Sequence, residues 1–310
     1  VFQDTRGTHH SEGEWEDFRP LRNRRTRKDT DERTDAWDSI DWLVKNIPGN
    51  NGRVGQWGIS YPGWYTVMSM LEPHPALKAV SPQATTGDAF IGDDFHHNGA
   101  FVLTGLMWTE RMTRAAEARR DRSKPPPPVI DYGTPWSYEF FLNAGPTDEL
   151  NAKYFGNRLM PLWNAFIEHP DYDEYWRSRN AIEPLRNIRI PVLNVGGWFD
   201  EFDLYGTFET YRGIEARNSR NRSTLVVGPW RHGGWHEDDG AMLGDIAFGA
   251  KTSEHFQKNV VFPFFQYHLK GKGSWQPAEA IVFETGRNRW HELPKWPPPS
   301  RNRAYKPLKA

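Results

Sequence analysis

The chain has 310 residues, enough for one large α/β domain or two smaller ones with a sizeable core. Its 39 basic and 40 acidic residues leave a formal net charge of -1, which argues against nucleic acid or an anionic membrane as partner, since either selects for a basic excess. No apolar run reaches the roughly eighteen residues of a membrane span, and the absence of cysteine excludes disulfides, thiolate catalysis and Cys-based metal sites.

Val1-Phe2-Gln3-Asp4 reads as the end of a buried strand entering a polar loop. The chain is therefore expected to be a piece of a longer protein, with any signal peptide upstream. The compartment stays open, and a periplasmic or secreted location fits that reading. Residues 8–33 are polar and charged, and read as a long loop. Thr34 is placed to cap a helix over 35–46, where Ala36, Trp37, Ile40, Leu43 and Val44 recur at helical spacing. Pro48, Gly49, Asn50, Asn51 and Gly52 form a turn. Val54–Ile59 is a short strand ending at Ser60, and Pro62–Leu71 reads as a helix with proline in its first turn. Leu77–Val80 is a further strand. Strand, turn, helix and strand in this order predict an α/β class with a mostly parallel sheet and crossover helices.

The rhythm is lost from 88 to 186. This stretch is aromatic, helical in pieces with 101–120 the best candidate, and broken by Pro125–Pro128; it reads as an inserted helical cap. The α/β pattern resumes with a strand over Ile190–Val195, a helix over 204–217 and a strand over Leu225–Val227. An amphipathic helix over 252–270 is closed by Gly271 and Gly273. From Ala280 the residues alternate like an antiparallel strand and turn, and the text ends in prolines. The expected units are a first core segment, 1–87, the cap, 88–186, a second core segment, 187–273, and the start of a β domain, 274–310. No internal repeat is present. Aromatics make up 14% of the chain, with 15 tryptophans, which suits either an aromatic-lined pocket or bulky core filling.

The chemistry is concentrated at "QWGISYPGWY", residues 56–65. The pattern G-x-S-x-x-G is one place longer than the G-x-S-x-G elbow of serine hydrolases, and serine between glycines also occurs in ordinary loops. Context favours the elbow: Ser60 stands where a strand ends and a helix begins, and Gly58 and Gly63 keep the turn free of bulk. The Tyr61 backbone N–H, at a helix N-terminus, is a candidate oxyanion donor, whereas Pro62 has no N–H to offer. Asp200 follows "VLNVGGWF" and His232 follows "TLVVGPWR". Both thus lie at the C-terminal end of a predicted parallel strand, in the chain order Ser, acid, His of α/β hydrolases. In such a triad His232 takes the Ser60 proton and Asp200 fixes the imidazole tautomer. His236 competes as the base and Asp203 as the acid. The pairs His9-His10 and His96-His97 lack metal-ligand spacing and read as loop or core residues, so no metal and no cofactor is expected. "HEDDG" at 236–240 reads as a solvated turn, and Asp93 and Asp94 as either an ammonium-facing pair or a helix cap.

"QDTRGTHHSEGEW", "GISYPG", "GDDFHHNGAF", "VGGWFDEFDLYG", "GPWRHGGW" and "FETGRNRW" together resemble the cocaine-esterase-like (CocE/NonD) serine hydrolases, which include α-amino acid ester hydrolases and X-prolyl dipeptidyl peptidases. In that family the nucleophile motif is G-x-S-Y-x-G, so the late glycine is the family's own form. The resemblance implies an α/β-hydrolase fold with an inserted helical cap and a C-terminal jelly roll, a Ser60–Asp200–His232 triad, and an oxyanion tyrosine from a loop that would precede residue 1. Trp198, Trp230, Asp93, Asp94, Asp173 and Glu174 are the candidate substrate-binding residues. The implied substrates are small esters or amides, or short peptides. The expected activity is a serine hydrolase of the α-amino acid ester hydrolase kind, the alternatives being an X-prolyl dipeptidyl peptidase and a non-catalytic binding protein on the same scaffold. Homo-oligomerisation is left open.

Overall fold

A computed structural model describes residues 1–21, 29–97, 99–120, 130–155, 160–219 and 223–299. The expected break at Pro125–Pro128 lies outside them. Two compact units are present, one of Val1–Asp35 with Asp88–Asn180, the other of Ala36–Gly87 with Ala181–Ala310.

The second unit is built on a six-stranded sheet: β1 (Val54–Ile59), β2 (Leu77–Gln83), β3 (Val192–Phe199), β4 (Ser223–Arg231), β5 (Ala280–Glu284) and β6 (Arg289–Leu293). They lie side by side in that order, the first five parallel and β6 antiparallel to β5. Alternation along the central strands explains the layers. Leu225 and Val227 join Tyr211, Ala280 and Val282 on one face, while Val226 between them joins Leu193, Val195, Phe256, Val260, Phe264 and Ile281 on the other. The helix Leu204–Arg217 supplies Tyr211 to the first face, and the helical run from Thr252 to Lys270 supplies the phenylalanines of the second. Strands covered on both faces need apolar residues at successive positions, hence runs such as "TLVV". This is the α/β-hydrolase arrangement of a mostly parallel sheet with helices.

Several boundaries differ from the sequence reading. The first helix is Glu32–Asn46. Its cap is Asp31, whose Oδ1 accepts from the N–H of Arg33 at 3.0 Å and of Thr34 at 3.3 Å, while Thr34 Oγ1 accepts from the Asp31 N–H at 3.1 Å; a threonine expected as the cap is its reciprocal partner instead. The helix Gly105–Arg120 starts later than expected, because His96–His97 and Ala100–Phe101 pair as a short antiparallel ladder. The run from Thr252 is interrupted by a π turn over Gln257–Val261 and ends at Gly271 with φ 63°. Val1 and Phe2 are exposed and form no strand.

The boundary at 274 also moves. β5 pairs in parallel with β4, Leu225 opposite Ala280 and Val227 opposite Val282, so residues expected to open a separate β domain are hydrogen-bonded into the main sheet. Alternating residues suit a hairpin at a sheet margin as well as a sandwich. Likewise the first 35 residues sort with 88–180 rather than with the sheet. Phe18 supplies the reason: its ring lies 5.8 Å from that of Phe95 and 6.0 Å from that of Trp108. That unit contains the helices Gly105–Arg120, Ser137–Ala144, Leu150–Phe155, Pro161–Glu168 and Glu174–Arg177, with Phe95, Phe166 and Trp176 in its buried interior.

Candidate active site

The geometry starts at the end of β1. Ser60 has φ 66° and ψ -129°, a conformation that costs a non-glycine residue about 1–3 kcal/mol. Two backbone bonds hold it there: the Ser60 N–H donates to the Gln83 carbonyl at 2.9 Å, and the Ser60 carbonyl accepts from the Trp64 N–H at 3.0 Å. The helix Tyr61–Leu71 follows at once. Sterics explain the spacing of the glycines. A Cβ at Gly63 would lie 2.6 Å from the Gln83 carbonyl oxygen, and one at Gly58 would lie 2.4 Å from the Pro62 carbonyl oxygen. The second glycine arrives late because position 63 is where the helix passes that carbonyl.

Asp200 follows β3, and its carboxylate is fully buried. Its Oδ1 accepts from the N–H groups of Phe202 and Asp203, both at 3.0 Å. The same carboxylate meets His232 Nδ1, at 2.9 Å from Oδ1 and 3.0 Å from Oδ2. A carboxylate oxygen accepts, so a proton on Nδ1 suits this contact, and the other ring nitrogen, Nε2, is the one that does not face the carboxylate. Asp203, the competing acid, stands 3.7 Å from Nδ1. His236, the competing base, packs against Trp57 with ring centroids 5.5 Å apart.

The segment after His232 crosses the ends of β1 and β2. A Cβ at Gly233 would lie 3.8 Å from Ile59 Cγ2, next to Ser60. Two residues on, the Trp235 indole N–H donates to Gln83 Oε1 at 2.7 Å. Gln83 thus touches both sides of the site, its carbonyl on Ser60 and its amide on the histidine segment. The sequence reading missed it, although a glutamine closing the buried run "LKAVSPQ" was a signal.

The remaining candidates have other partners. The Trp198 indole N–H donates to the Phe283 carbonyl at 2.8 Å, and the ring packs with Phe208 and Trp296. Trp230 is buried, donates to Thr252 Oγ1 at 2.9 Å and packs with Trp235, Phe256 and Trp290. Trp230 lies in the buried core of the sheet unit, whereas Trp198 is half-buried and lines a cavity with Phe283, Trp296 and Pro298. Asp93, Asp94, Asp173 and Glu174 belong to the other unit. There Asp173 caps the helix Glu174–Arg177 through the Tyr175 N–H and meets His169 Nδ1 at 2.6 Å, which holds its carboxyl below the usual carboxylate range. Glu174 is exposed, and Asp93 and Asp94 are half-buried. His96 is buried beside Phe90, Phe101 and Trp176. Among the described residues no group of three His, Asp or Glu side chains is arranged to hold a metal ion, and no helix is long and apolar enough to cross a membrane.

Comparison with known proteins identifies the family. The family model described as X-Pro dipeptidyl-peptidase (S15 family) matches residues 1–234, a span that contains Ser60, Asp200 and His232. The chain belongs to the S15 family. Its relatives include the cocaine esterase of Rhodococcus sp. (strain MB1 Bresler), 27% identical over 99% of this chain and 51% of that protein. Among solved structures, an α-amino acid ester hydrolase superposes with a TM-score of 0.85 at 34% identity, over 96% of this chain and 47% of that one. An aminopeptidase from the marine sediment archaeon Thaumarchaeota archaeon gives 0.83 at 35%, over 96% and 48%. A CocE/NonD family hydrolase of Staphylococcus aureus shares the fold, with a TM-score of 0.55 at 19% identity over 86% of this chain and 39% of that one. The S15 chain described here therefore spans about half the length of the relatives it matches.

Proposed function

We propose that the protein is a serine hydrolase that cleaves a small ester or amide through an acyl-enzyme on Ser60, with α-amino acid esters as the favoured substrates. The observation that carries the reading is the contact of His232 Nδ1 with the buried Asp200 carboxylate, on a segment that passes beside Ile59, the residue before the strained serine, and is tied to Gln83. That contact is what a general base needs.

In this mechanism Ser60 Oγ attacks the substrate carbonyl carbon as His232 Nε2 takes the hydroxyl proton. Asp200 stabilises the resulting imidazolium without taking a proton itself. The Tyr61 N–H, in the first turn of the Tyr61–Leu71 helix, then donates to the oxyanion of the tetrahedral intermediate, a role supported by its place at a helix N-terminus directly after the nucleophile. The imidazolium returns its proton to the leaving alcohol or amine, leaving an ester on Ser60. Water then attacks that ester as His232 takes its proton, and the imidazolium passes the proton to Ser60 Oγ as the acid product departs. No step calls for a metal or an organic cofactor.

The test is Ser60→Ala in the protein at full length, read by turnover of an α-amino acid ester and by labelling with a fluorophosphonate probe. Both should be lost; retained labelling would remove Ser60 from its role. The S15 family model favours a second reading, an X-prolyl dipeptidyl peptidase. Release from an Xaa-Pro-anilide compared with release from an α-amino ester separates the two, since a prolyl peptidase prefers the anilide. A non-catalytic binding protein would leave both substrates intact.

A further inference from the structure

Asp203 occupies the N-cap position of the helix Leu204–Arg217, where an aspartate ordinarily turns its carboxylate onto the first N–H groups of the helix. Here its side chain makes no such capping bond. The carboxylate, with a side chain only 3% exposed, turns the other way: Oδ2 lies 3.7 Å from His232 Nδ1, and Oδ1 accepts from Thr86 Oγ1 at 3.2 Å. Its backbone N–H meanwhile donates to Asp200 Oδ1 at 3.0 Å. One short turn therefore presents two buried carboxylates to one imidazole.

Burying two like charges side by side is unfavourable unless a cation lies between them. A protonated His232 is such a cation. Among the described residues, Glu201, whose carboxylate accepts from the His232 backbone N–H at 3.5 Å, and Arg231, which is paired with Glu237, also lie at this segment. Arg231 is committed to its own partner, and Glu201 is exposed, so solvent screens it more than the two aspartates.

We propose that Asp203 is a second, positioning carboxylate for His232, sharing the imidazolium charge with Asp200 from a distance too long for a direct hydrogen bond. This rests on the reading of His232 as the base for Ser60. Asp200 fixes the tautomer and ring orientation through contact; Asp203 contributes charge. It stabilises the imidazolium that forms when Ser60 attacks, and it raises the pH at which the resting ring becomes neutral and able to act as a base. Thr86 keeps the carboxylate turned towards the ring and away from the helix.

The test is Asp203→Asn and Asp203→Ser in the full-length protein, with the pH profile of kcat/KM as readout. Both residues are good N-caps, so the helix keeps its start, and either variant carries the measurement if the other does not fold. The acid limb of the profile is expected to move to lower pH by about 1 unit, with a plateau reduced less than by Asp200→Asn. An unmoved limb in a folded, active variant would overturn the proposal, as would a loss equal to that of Asp200→Asn, which would make Asp203 the triad acid. Ser60→Ala in parallel keeps the two ideas apart. Turnover surviving that change removes the nucleophile reading itself; an inert Ser60→Ala beside an unmoved limb removes only the role of Asp203.

Discussion

The Trp235 indole N–H donates to Gln83 Oε1 at 2.7 Å, and both side chains are almost fully buried. Gln83 is tied further, its amide donating to Ser81 Oγ at 2.9 Å and its carbonyl accepting from the Ser60 N–H at the same distance. On the other side the Trp235 carbonyl accepts from Gln257 Nε2 at 3.0 Å, at the start of the π turn. A continuous polar chain thus runs from the long C-terminal helix through the histidine segment to the serine turn. Its links lie in an apolar interior, where an unmet polar group is costly.

Trp235→Phe keeps an aromatic ring and removes one N–H, leaving Gln83 Oε1 buried without that donor. The expected cost is about 1–3 kcal/mol of stability, read as a shift in the denaturant midpoint. Fluorophosphonate labelling should slow as well, because the histidine segment loses its tether. Pairing Trp235→Phe with Gln83→Met in a double-mutant cycle should give a coupling of about 0.5–3 kcal/mol. A coupling near zero would mean that the bond does not hold the two segments together.

Gly63→Ala tests the late glycine. The new methyl would start 2.6 Å from the Gln83 carbonyl oxygen, which is the acceptor of the Ser60 N–H. Relief by moving the helix or that carbonyl costs about 1–3 kcal/mol, and either movement disturbs Ser60. Labelling should therefore fall more than stability does. Unchanged labelling in a folded Gly63→Ala protein would show that the turn has more room than its geometry indicates.

The position of Ser60, Asp200 and His232 just past the ends of β1, β3 and β4 was legible in the sequence because each follows a short apolar run, and a strand's C-terminal end is set by local text. The helix Leu204–Arg217 was legible for the same reason, its start and stop lying within its own residues. A tryptophan beside a site motif looks the same in the sequence whether it lines a cavity, as the half-buried Trp198 does, or fills the core, as Trp230 does. Alternation held the answer for Trp230, which shares parity with the core residue Val226. Asp203 read only as a competitor to Asp200, since sequence spacing cannot show that its carboxylate bypasses the helix it precedes. The placement of β5 and β6 in the main sheet is a non-local choice between partners, and no residue in "AIVFETGRNRW" states it.

Asp200→Asn keeps the shape of the acid and changes its chemistry. An asparagine in this place can present its amide to His232 Nδ1, which favours the tautomer with the proton on Nε2 and removes the base. The expected fall in kcat is about 10⁴, the size seen when a serine-protease triad loses its carboxylate in this way, with KM changed little. Steady-state kinetics on the α-amino ester measures both. A fall of only a few-fold would mean that Asp203 or another group replaces Asp200.

Glu32 gives a prediction independent of the triad. Its side chain is 4% exposed, and burial raises its carboxyl from 4.5 to about 8; Arg19, 3.8 Å away, pulls the other way, while Asp35, Asp31 and Glu16 add to the rise. Burial outweighs the arginine, because 3.8 Å is too long for a hydrogen bond that would favour the ionised form. The sign follows from linkage. A carboxyl whose folded value lies above its unfolded one binds its proton more tightly in the native state, so its stabilisation is intact below about 4.5 and is lost as pH rises through about 8. Between those values one such group makes unfolding easier by up to about 1.4 kcal/mol per pH unit. Glu32→Gln is permanently neutral, so it should flatten the decline and be the more stable protein above about pH 8. Denaturant midpoints of both proteins, taken on either side of this window, decide the matter. Parallel pH dependences would mean that Glu32 ionises freely beside Arg19.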